Sequence, residues 1–148
     1  MLFRSRTTGL LEISRAHEAR LKGARRQMEQ HLGRAMAIER KLCRLKFPDI
    51  PLVCLILRAG VAWARGDEGQ TVSSLRKLIP EATRLNLSIV ETTAKYRLGL
   101  LVGGQEGQML LAEANTRLAL YGVQNPVRYV NLLLGGWALP GKKVLPSR

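Results

Sequence analysis

Apolar residues recur every three or four positions along most of this chain, which is the period of an amphipathic α-helix. The clearest run lies in the first third of the sequence. Nowhere does an apolar–polar alternation of period two continue long enough to predict a β-strand. The pattern therefore predicts an all-α fold, and its first run comprises Leu21, Ala24, Met28, Leu32, Ala35, Ile38, Leu42 and Leu45.

Glycine and proline divide this pattern into about seven helices. Gly23 interrupts the first run, Pro48 ends the second helix, and Gly66 and Gly103 mark later turns, because both residue types disfavour helix interiors. Pro80 lies inside a helical run and predicts a kink or a split there. The predicted N-cap residues are Asp49, Asp67, Ser88 and Asn125. The predicted helices span about 10–22, 25–46, 51–65, 68–85, 88–102, 106–121 and 126–134.

The length of 148 residues suits a single domain. Residues 1–9 contain little that can pack and are expected to form a disordered or truncated start. Residues 10–138 are expected to form one helical-repeat domain. Residues 139–148 are rich in proline, glycine and lysine, and are expected to form a flexible basic tail.

Two stretches share one plan, in which an apolar helical run meets a glycine-containing turn and a second amphipathic run follows. The first spans 55–85 and turns at Gly66, and the second spans 96–121 and turns at Gly103. Helical hairpins in tandem are typical of an α-solenoid, where each hairpin buries its apolar face against its neighbours. Because solenoids mostly bind other molecules, the sequence favours a non-catalytic binding protein.

The second hairpin carries a Leu98-Gly99 pair followed by a turn of two glycines. In this respect it resembles a tetratricopeptide repeat. In that family the Leu-Gly pair allows two helices to approach closely, so the resemblance implies that Gly99 faces its partner helix. The first hairpin matches less well, because Thr71 stands where such repeats prefer alanine.

A longer series of motifs extends from about residue 37 to residue 138. In order they are Glu39-Arg-Lys-Leu, Pro48, Leu57-Arg-Ala-Gly60, Gly66-Asp67, Tyr96-Arg-Leu-Gly-Leu-Leu, Gly103-Gly-Gln-Glu-Gly107, Gly122-Val-Gln-Asn-Pro-Val-Arg128 and Leu134-Gly-Gly-Trp137. This order looks like the C-terminal helical-repeat region of large bacterial serine/threonine protein kinases, which follows a kinase domain and an AAA-type ATPase segment.

That resemblance implies a module for protein–protein interaction or regulatory sensing, whose partner is another protein or the upstream kinase/ATPase domain. The kinase signatures themselves are missing from the sequence: there is no Gly-rich loop before a Val-Ala-Ile-Lys strand, no His-Arg-Asp loop and no Asp-Phe-Gly motif. No catalytic residue can be transferred from the family, and no enzymatic activity is expected.

The charge distribution of the chain indicates an alternative function. The formal net charge is +13, and residues 1–47 hold 12 Lys/Arg against 4 Asp/Glu. The basic stretch from Arg15 to Lys46 is compatible with a nucleic-acid-associated helical protein. The simpler interpretation is a solvated, arginine-rich helix face.

The sequence predicts no metal and no cofactor. Cys43 and Cys54 lie in apolar, helix-periodic surroundings and are expected to pack in the core as free thiols. His17 and His31 are expected at the surface or partly packed, and Glu12 is expected to be a solvated charge. The tail motif Gly136-Trp-Ala-Leu-Pro-Gly-Lys-Lys143 lacks the Ser or Thr that follows the lysine of a phosphate-binding loop, so no nucleotide site is expected.

A groove between the hairpins is the candidate binding site. Concave solenoid faces often carry aromatic and arginine side chains, although aromatic residues also fill gaps between hairpins. The candidate groove residues are Trp63, Tyr96, Arg97, Arg117, Tyr121 and Arg128. The apolar residues of the first helix, Leu10, Leu11, Ile13 and Leu21, are expected to lack an upstream neighbour, which predicts self-association.

The sequence predicts a cytoplasmic protein that does not enter a membrane. The first residues contain no apolar signal-peptide segment. The longest apolar run, from Leu52 to Ala64, is interrupted by Arg58 and is shorter than the roughly 20 residues of a spanning helix.

Overall fold

The computed structural model describes residues 2–134, apart from the side chains of residues 2, 3, 132 and 133. Within this part of the chain the regular structure is entirely α-helical, which confirms the predicted fold class. The seven helices are α1 (Leu2–Leu21), α2 (Arg25–Leu42), α3 (Ile50–Arg65), α4 (Glu68–Arg84), α5 (Ser88–Val102), α6 (Gly104–Leu120) and α7 (Pro126–Leu134). Apart from the start of α1 and the end of α2, every boundary lies within two residues of its prediction.

Successive helices pack against one another as hairpins. The pairs α1–α2, α3–α4 and α5–α6 form three hairpins, α2 and α4 also contact the helix that follows them, and α7 packs on α5. Three hydrophobic clusters result. The first joins α1, α2 and α3, the second joins α3, α4 and α5 with Leu134, and the third joins α5, α6 and α7.

Residues 2–9 differ from the prediction, because α1 begins at Leu2 and is helical through residue 9. Gly9 is buried against α3, where an added Cβ atom would meet Leu57 Cδ2 at 2.9 Å. The expectation of a disordered start is therefore wrong. Ile13 is also fully buried, so of the four residues expected to lack a neighbour only Leu11 and Leu21 are substantially exposed.

The turn between α3 and α4 forms as predicted. Gly66 adopts a left-handed conformation, with φ of +77°, and ends α3. Asp67 then caps α4, accepting a hydrogen bond from the backbone N–H of Gln70 at 2.9 Å. Asn125 caps α7 through the N–H of Arg128 in the same way.

Two other predicted caps form no capping hydrogen bond. Asp49 occupies the N-cap position of α3, as predicted, but its side chain forms no cap hydrogen bond. Ser88 is the first residue of α5 rather than its cap, because Leu87 occupies that position. The small polar residues therefore predicted where α3 and α5 begin, but not the hydrogen bonds that cap these helices.

The predicted split at Pro80 does not occur. Helix α4 continues through this position to Arg84. Pro80 is exposed, while Leu75, Leu78 and Ala82 on either side of it are fully buried in the second cluster. Tertiary packing of the apolar face maintains the helix across the missing N–H donor.

The helices α5 and α6 approach most closely at two glycines. A Cβ atom added to Gly107 would lie 2.5 Å from the carbonyl oxygen of Gly99. One added to Gly99 would lie 2.9 Å from the carbonyl oxygen of Gly107. Gly99 therefore faces the partner helix, as the sequence predicts.

Cys43 and Cys54 are joined by a disulfide, and their Cα atoms are 6.5 Å apart. Cys54 is buried, whereas Cys43 is exposed at the C-terminal end of α2. The prediction of two free core thiols is wrong, because the turn through Pro48 brings the ends of α2 and α3 together. The predicted basic tail and the Gly136–Lys143 motif lie outside the described residues.

Candidate functional site

A cavity of about 190 Å³ lies between α1, α5 and the turn that joins α3 to α4. We call it the His17 pocket. Its volume is below the roughly 300–1,000 Å³ of small-molecule sites, so it suits one side chain of a partner better than a whole metabolite. The lining residues are His17, Arg20, Trp63, Gly66, Glu68, Leu100 and Leu101.

Arg20 fixes one wall of this pocket. Its Nη1 atom donates hydrogen bonds to the carbonyl oxygens of Trp63 at 2.9 Å and of Ala64 at 3.2 Å. These carbonyls belong to the last turn of α3, where the helix leaves acceptors without an intrahelical donor and a cation is favourable. The contact holds α1 against the end of α3.

His17 supplies the polar group of the pocket. It is 6% exposed, and among the described residues neither ring nitrogen has a hydrogen-bond partner. Burial lowers the pKa of His17 below its ordinary value of 6.5, the charges of Arg20 and Arg97 lower it further, and Glu18 opposes them. A neutral imidazole presents one donor and one acceptor, so His17 can bind a group that offers both.

Arg97 lies close enough to His17 to lower its pKa. The Arg97 side chain is 3% exposed, and burial lowers its own pKa to about 10. It therefore remains charged at neutral pH. Together, Arg20 and Arg97 make the surroundings of the pocket positive, with Glu68 as the acidic residue at its lining.

The exposed lining of the pocket includes an apolar residue, Leu100, and an acidic one, Glu68. Leu100 remains 39% exposed, and Trp63 and Leu101 are half-buried beside it. These side chains can take up an apolar side chain of a partner, while His17 fixes its orientation through a hydrogen bond.

The six candidate groove residues do not share one groove. Trp63 lines the His17 pocket and Arg97 lies beside His17, as described above. Tyr96 packs in the third hydrophobic cluster with Ala114, Leu118 and Val130. Tyr121 and Arg128 line a separate, open cavity near the start of α7. Two of the six residues therefore lie at the His17 pocket and two line the cavity near α7, while Tyr96 and Arg117 line neither cavity.

Arg117 belongs to a network of ion pairs between α5 and α6. Its Nη1 atom lies 3.3 Å from Glu91 Oε1, and Lys95 Nζ lies 2.7 Å from both Glu91 and Glu113. A hydrogen bond from Lys95 lowers the pKa of Glu91. These contacts orient the α5–α6 hairpin, so Arg117 has a structural partner in this protein.

The cavity near α7 surrounds Asn131, whose side-chain amide is buried and has no hydrogen-bond partner within the described residues. Tyr121 lies at its edge and donates a hydrogen bond to Ser88 Oγ at 3.0 Å. The cavity is open to solvent along the Tyr121–Asn131 segment, and Arg128 gives it a positive charge.

The acidic side chains of α2 point towards α3. Glu29 pairs with Arg65 at 3.3 Å and Glu39 pairs with Arg58 at 2.6 Å. Of the cations of α2 and the turn after it, Arg34 pairs with Glu12, and the others are exposed and form no ion pair within residues 2–134. This basic face consists of Arg25, Arg26, Arg40, Lys41, Arg44 and Lys46.

Glu12 is the clearest polar group that sequence reasoning missed. It was expected to be solvated, but it is 6% exposed and lies 2.6 Å from His31 Nδ1. Arg15 and Arg34 also approach it, at 3.3 Å and 3.8 Å. The chain folds back at Gly23, which brings α2 onto α1 and buries the carboxylate. The position of His17 was missed because most of the residues around it lie on α3, α4 and α5, far away in the sequence.

No known protein-family model matches this chain, and no curated protein and no solved structure matches it either. The resemblance to kinase C-terminal regions therefore rests on the residues of the sequence alone. Of the helices within residues 2–134, none is both long enough and apolar enough to cross a membrane.

Proposed function

We propose that this chain is a non-catalytic helical-repeat module that binds a protein partner through the His17 pocket. The observation that carries this proposal is the pocket itself, in which a buried histidine without a partner lies behind an exposed leucine. We propose that it belongs with the tetratricopeptide-like C-terminal regions of bacterial serine/threonine kinases with an ATPase segment, which it resembles. We also propose that it acts in the cytoplasm. In that context the partner is the upstream kinase/ATPase domain or a protein that the kinase pathway senses.

The chemistry of the pocket favours an acidic, leucine-containing segment. Leu100, Leu101 and Trp63 receive an apolar side chain, and neutral His17 pairs with a backbone amide. The charges of Arg20 and Arg97, together with the net charge of +13, favour acidic residues on either side. A basic segment is disfavoured by like-charge repulsion.

Two synthetic peptides test this preference directly. Each is a blocked 12-residue peptide with one central leucine, flanked by glutamates in the first and by lysines in the second. Fluorescence anisotropy should show binding of the glutamate peptide only. Leu100→Asp should abolish that binding, because it replaces the exposed leucine of the pocket with a carboxylate.

Leu120→Asp is the matched control. Leu120 is 81% exposed on α6 and does not line the pocket, so its replacement should leave affinity unchanged. Equal binding of the two peptides, or binding that survives Leu100→Asp, would contradict the proposal. Sedimentation of the chain with and without the purified upstream kinase/ATPase domain tests whether that domain is the partner. The same experiment distinguishes binding of the domain from self-association of the chain.

A nucleic-acid-associated function is the second candidate, and the basic face of α2 favours it. Its exposed cations lie at the two ends of α2 and in the turn after it, without acidic partners among the described residues. If this face binds DNA, the affinity for a duplex should fall steeply with salt, with a log–log slope set by the number of phosphates contacted. Replacing Arg40 and Lys41 by glutamine should reduce that slope, whereas Leu100→Asp should not change it.

A further inference from the structure

The disulfide joins two cysteines in very different environments. Cys43 is exposed at the C-terminal end of α2, and Cys54 is 4% exposed in α3. The ten residues between them form the turn through Pro48 and the start of α3. The two Cα atoms are 6.5 Å apart, which is within the usual range for a disulfide.

A carboxylate and a guanidinium accompany the exposed sulfur. Glu39 lies one helical turn before Cys43, and its Oε1 atom is 3.4 Å from Cys43 Sγ. Arg58 donates from Nε to the same oxygen at 2.6 Å, and its Nη2 atom is 3.9 Å from Cys43 Sγ. In the dithiol form, Glu39 can accept the thiol proton and Arg58 can stabilise the resulting thiolate.

We propose that Cys43 and Cys54 form a redox-responsive pair that a hydroperoxide oxidises. In the cytoplasm proposed for this protein, permanent disulfides are uncommon and reversible ones are mostly redox-sensing. An exposed cysteine beside a cation, with a second cysteine within reach, has the features of a peroxide-responsive thiol and its resolving partner.

The reaction has two steps. The Cys43 thiolate attacks one oxygen of hydrogen peroxide, the O–O bond breaks, and the products are Cys43 sulfenic acid and hydroxide, which takes up a proton to become water. The Cys54 thiolate then attacks the sulfenic sulfur, the S–O bond breaks, and the disulfide forms as a second hydroxide leaves and is protonated. The peroxide is reduced by two electrons to two water molecules, and two thiols are oxidised to one disulfide.

The different exposure of the two cysteines assigns their roles in this reaction. Cys43 is open to solvent and meets the oxidant, whereas Cys54 is covered by the first hydrophobic cluster and reacts only with its neighbour. Arg58 is a positioning residue in this scheme. Besides Glu39 and Arg58, the charged groups at this turn are Arg44, Lys46 and Asp49 of the turn itself and Arg84 of α4, which donates to the carbonyl oxygen of Pro48 at 3.0 Å.

The experiment uses the full-length chain, reduced and freed of reductant. Hydrogen peroxide with a sulfenic-acid probe should label Cys43 in Cys54→Ser and should leave Cys54 unlabelled in Cys43→Ser. In the unsubstituted protein, mass spectrometry should find the disulfide in place of the label. Circular dichroism on each variant confirms that the helices remain folded.

Arg58→Gln tests the positioning role. A unit charge 3.9 Å away in a water-like dielectric changes the thiolate population by roughly fivefold. The pH midpoint of Cys43 alkylation should therefore rise and its peroxide rate at pH 7 should fall by roughly that factor. Arg65→Gln, which removes another α3 arginine paired with a glutamate of α2, is the matched control and should change neither.

Three results would overturn this inference: preferential labelling of Cys54, a Cys43 rate equal to that of free cysteine and unaffected by Arg58→Gln, or zinc held by the reduced protein. Zinc binding is a real alternative because Glu39, Cys43 and Cys54 place three ligand atoms within 4.8 Å of one another. Zinc that copurifies with the reduced chain and protects both thiols from peroxide would assign these residues to a metal site.

Discussion

Replacing Gly107 with alanine tests the close approach of α5 and α6. The new Cβ atom would lie 2.5 Å from the carbonyl oxygen of Gly99. Ordinary carbon–oxygen contacts in helix packing are about 3.3–3.6 Å, so the two helices must separate by about 1 Å at this point. Because the obstacle is backbone, no side-chain rotation can relieve it.

The expected change in the free energy of unfolding follows from two opposing effects. Overpacking a close contact costs about 1–3 kcal/mol. Alanine gains up to about 1 kcal/mol over glycine inside a helix. We expect Gly107→Ala to lower the free energy of unfolding by about 1–2 kcal/mol, and Gly99→Leu to lower it by about 1–3 kcal/mol or more, since its longer side chain also meets Leu111.

Gly33→Ala is the matched control, because Gly33 lies inside α2 with nothing within 4 Å of the added Cβ atom. It should raise the free energy of unfolding by about 0.5–1 kcal/mol. Urea denaturation followed by circular dichroism at 222 nm measures all three variants. If Gly107→Ala proves as stabilising as Gly33→Ala, the α5–α6 contact has been placed wrongly.

Three further predictions concern the fold, the pH response and the disulfide. Far-UV circular dichroism of the chain should be strongly helical, and a clear β component would contradict the fold. The free energy of unfolding should fall as pH drops below about 6.5, because unfolded His17 takes up a proton at its ordinary pKa of 6.5 while burial keeps the folded pKa lower; His17→Gln should reduce this dependence, and an unchanged pH profile would refute the burial argument. Reduction of the Cys43–Cys54 disulfide should lower the free energy of unfolding by up to about 3 kcal/mol, as expected for a loop of about this length, and Cys43→Ser should abolish the effect of reductant.

Helix positions could be predicted from the sequence because they depend on local signals. Gly66 and Asp67 terminate one helix and begin the next within a few residues, and the apolar period of 3.6 identifies the face that each helix buries. The errors occurred where contacts with distant parts of the chain determine the secondary structure. Residues 2–9 form a helix that packs through Gly9 on Leu57 of α3, and Pro80 stays helical because both of its flanks are buried.

The candidate site was predictable only in part, for the same reason. Trp63 was identified from its residue type and lines the pocket. His17 was dismissed because its environment depends on Arg20 and Arg97, one of which lies 80 residues away in the sequence. The turn at Pro48 between the two cysteines was predicted, but their pairing was missed because a spacing of 11 residues does not show how closely that turn brings the two sulfurs together.

The three hydrophobic clusters have a consequence for how this chain folds and opens. Each cluster is built almost entirely by helices that follow one another in sequence, which means a low contact order and folding on a microsecond-to-millisecond timescale. Such a protein need not unfold all at once, because neighbouring units can open separately with different free energies. Hydrogen exchange should therefore be slowest in α3 and α5, which each contribute buried residues to two of the three clusters, and faster in α6, which contributes them to one. The disulfide ties α2 to α3, so oxidation of the cysteines should slow exchange in the first hairpin while leaving α6 unchanged.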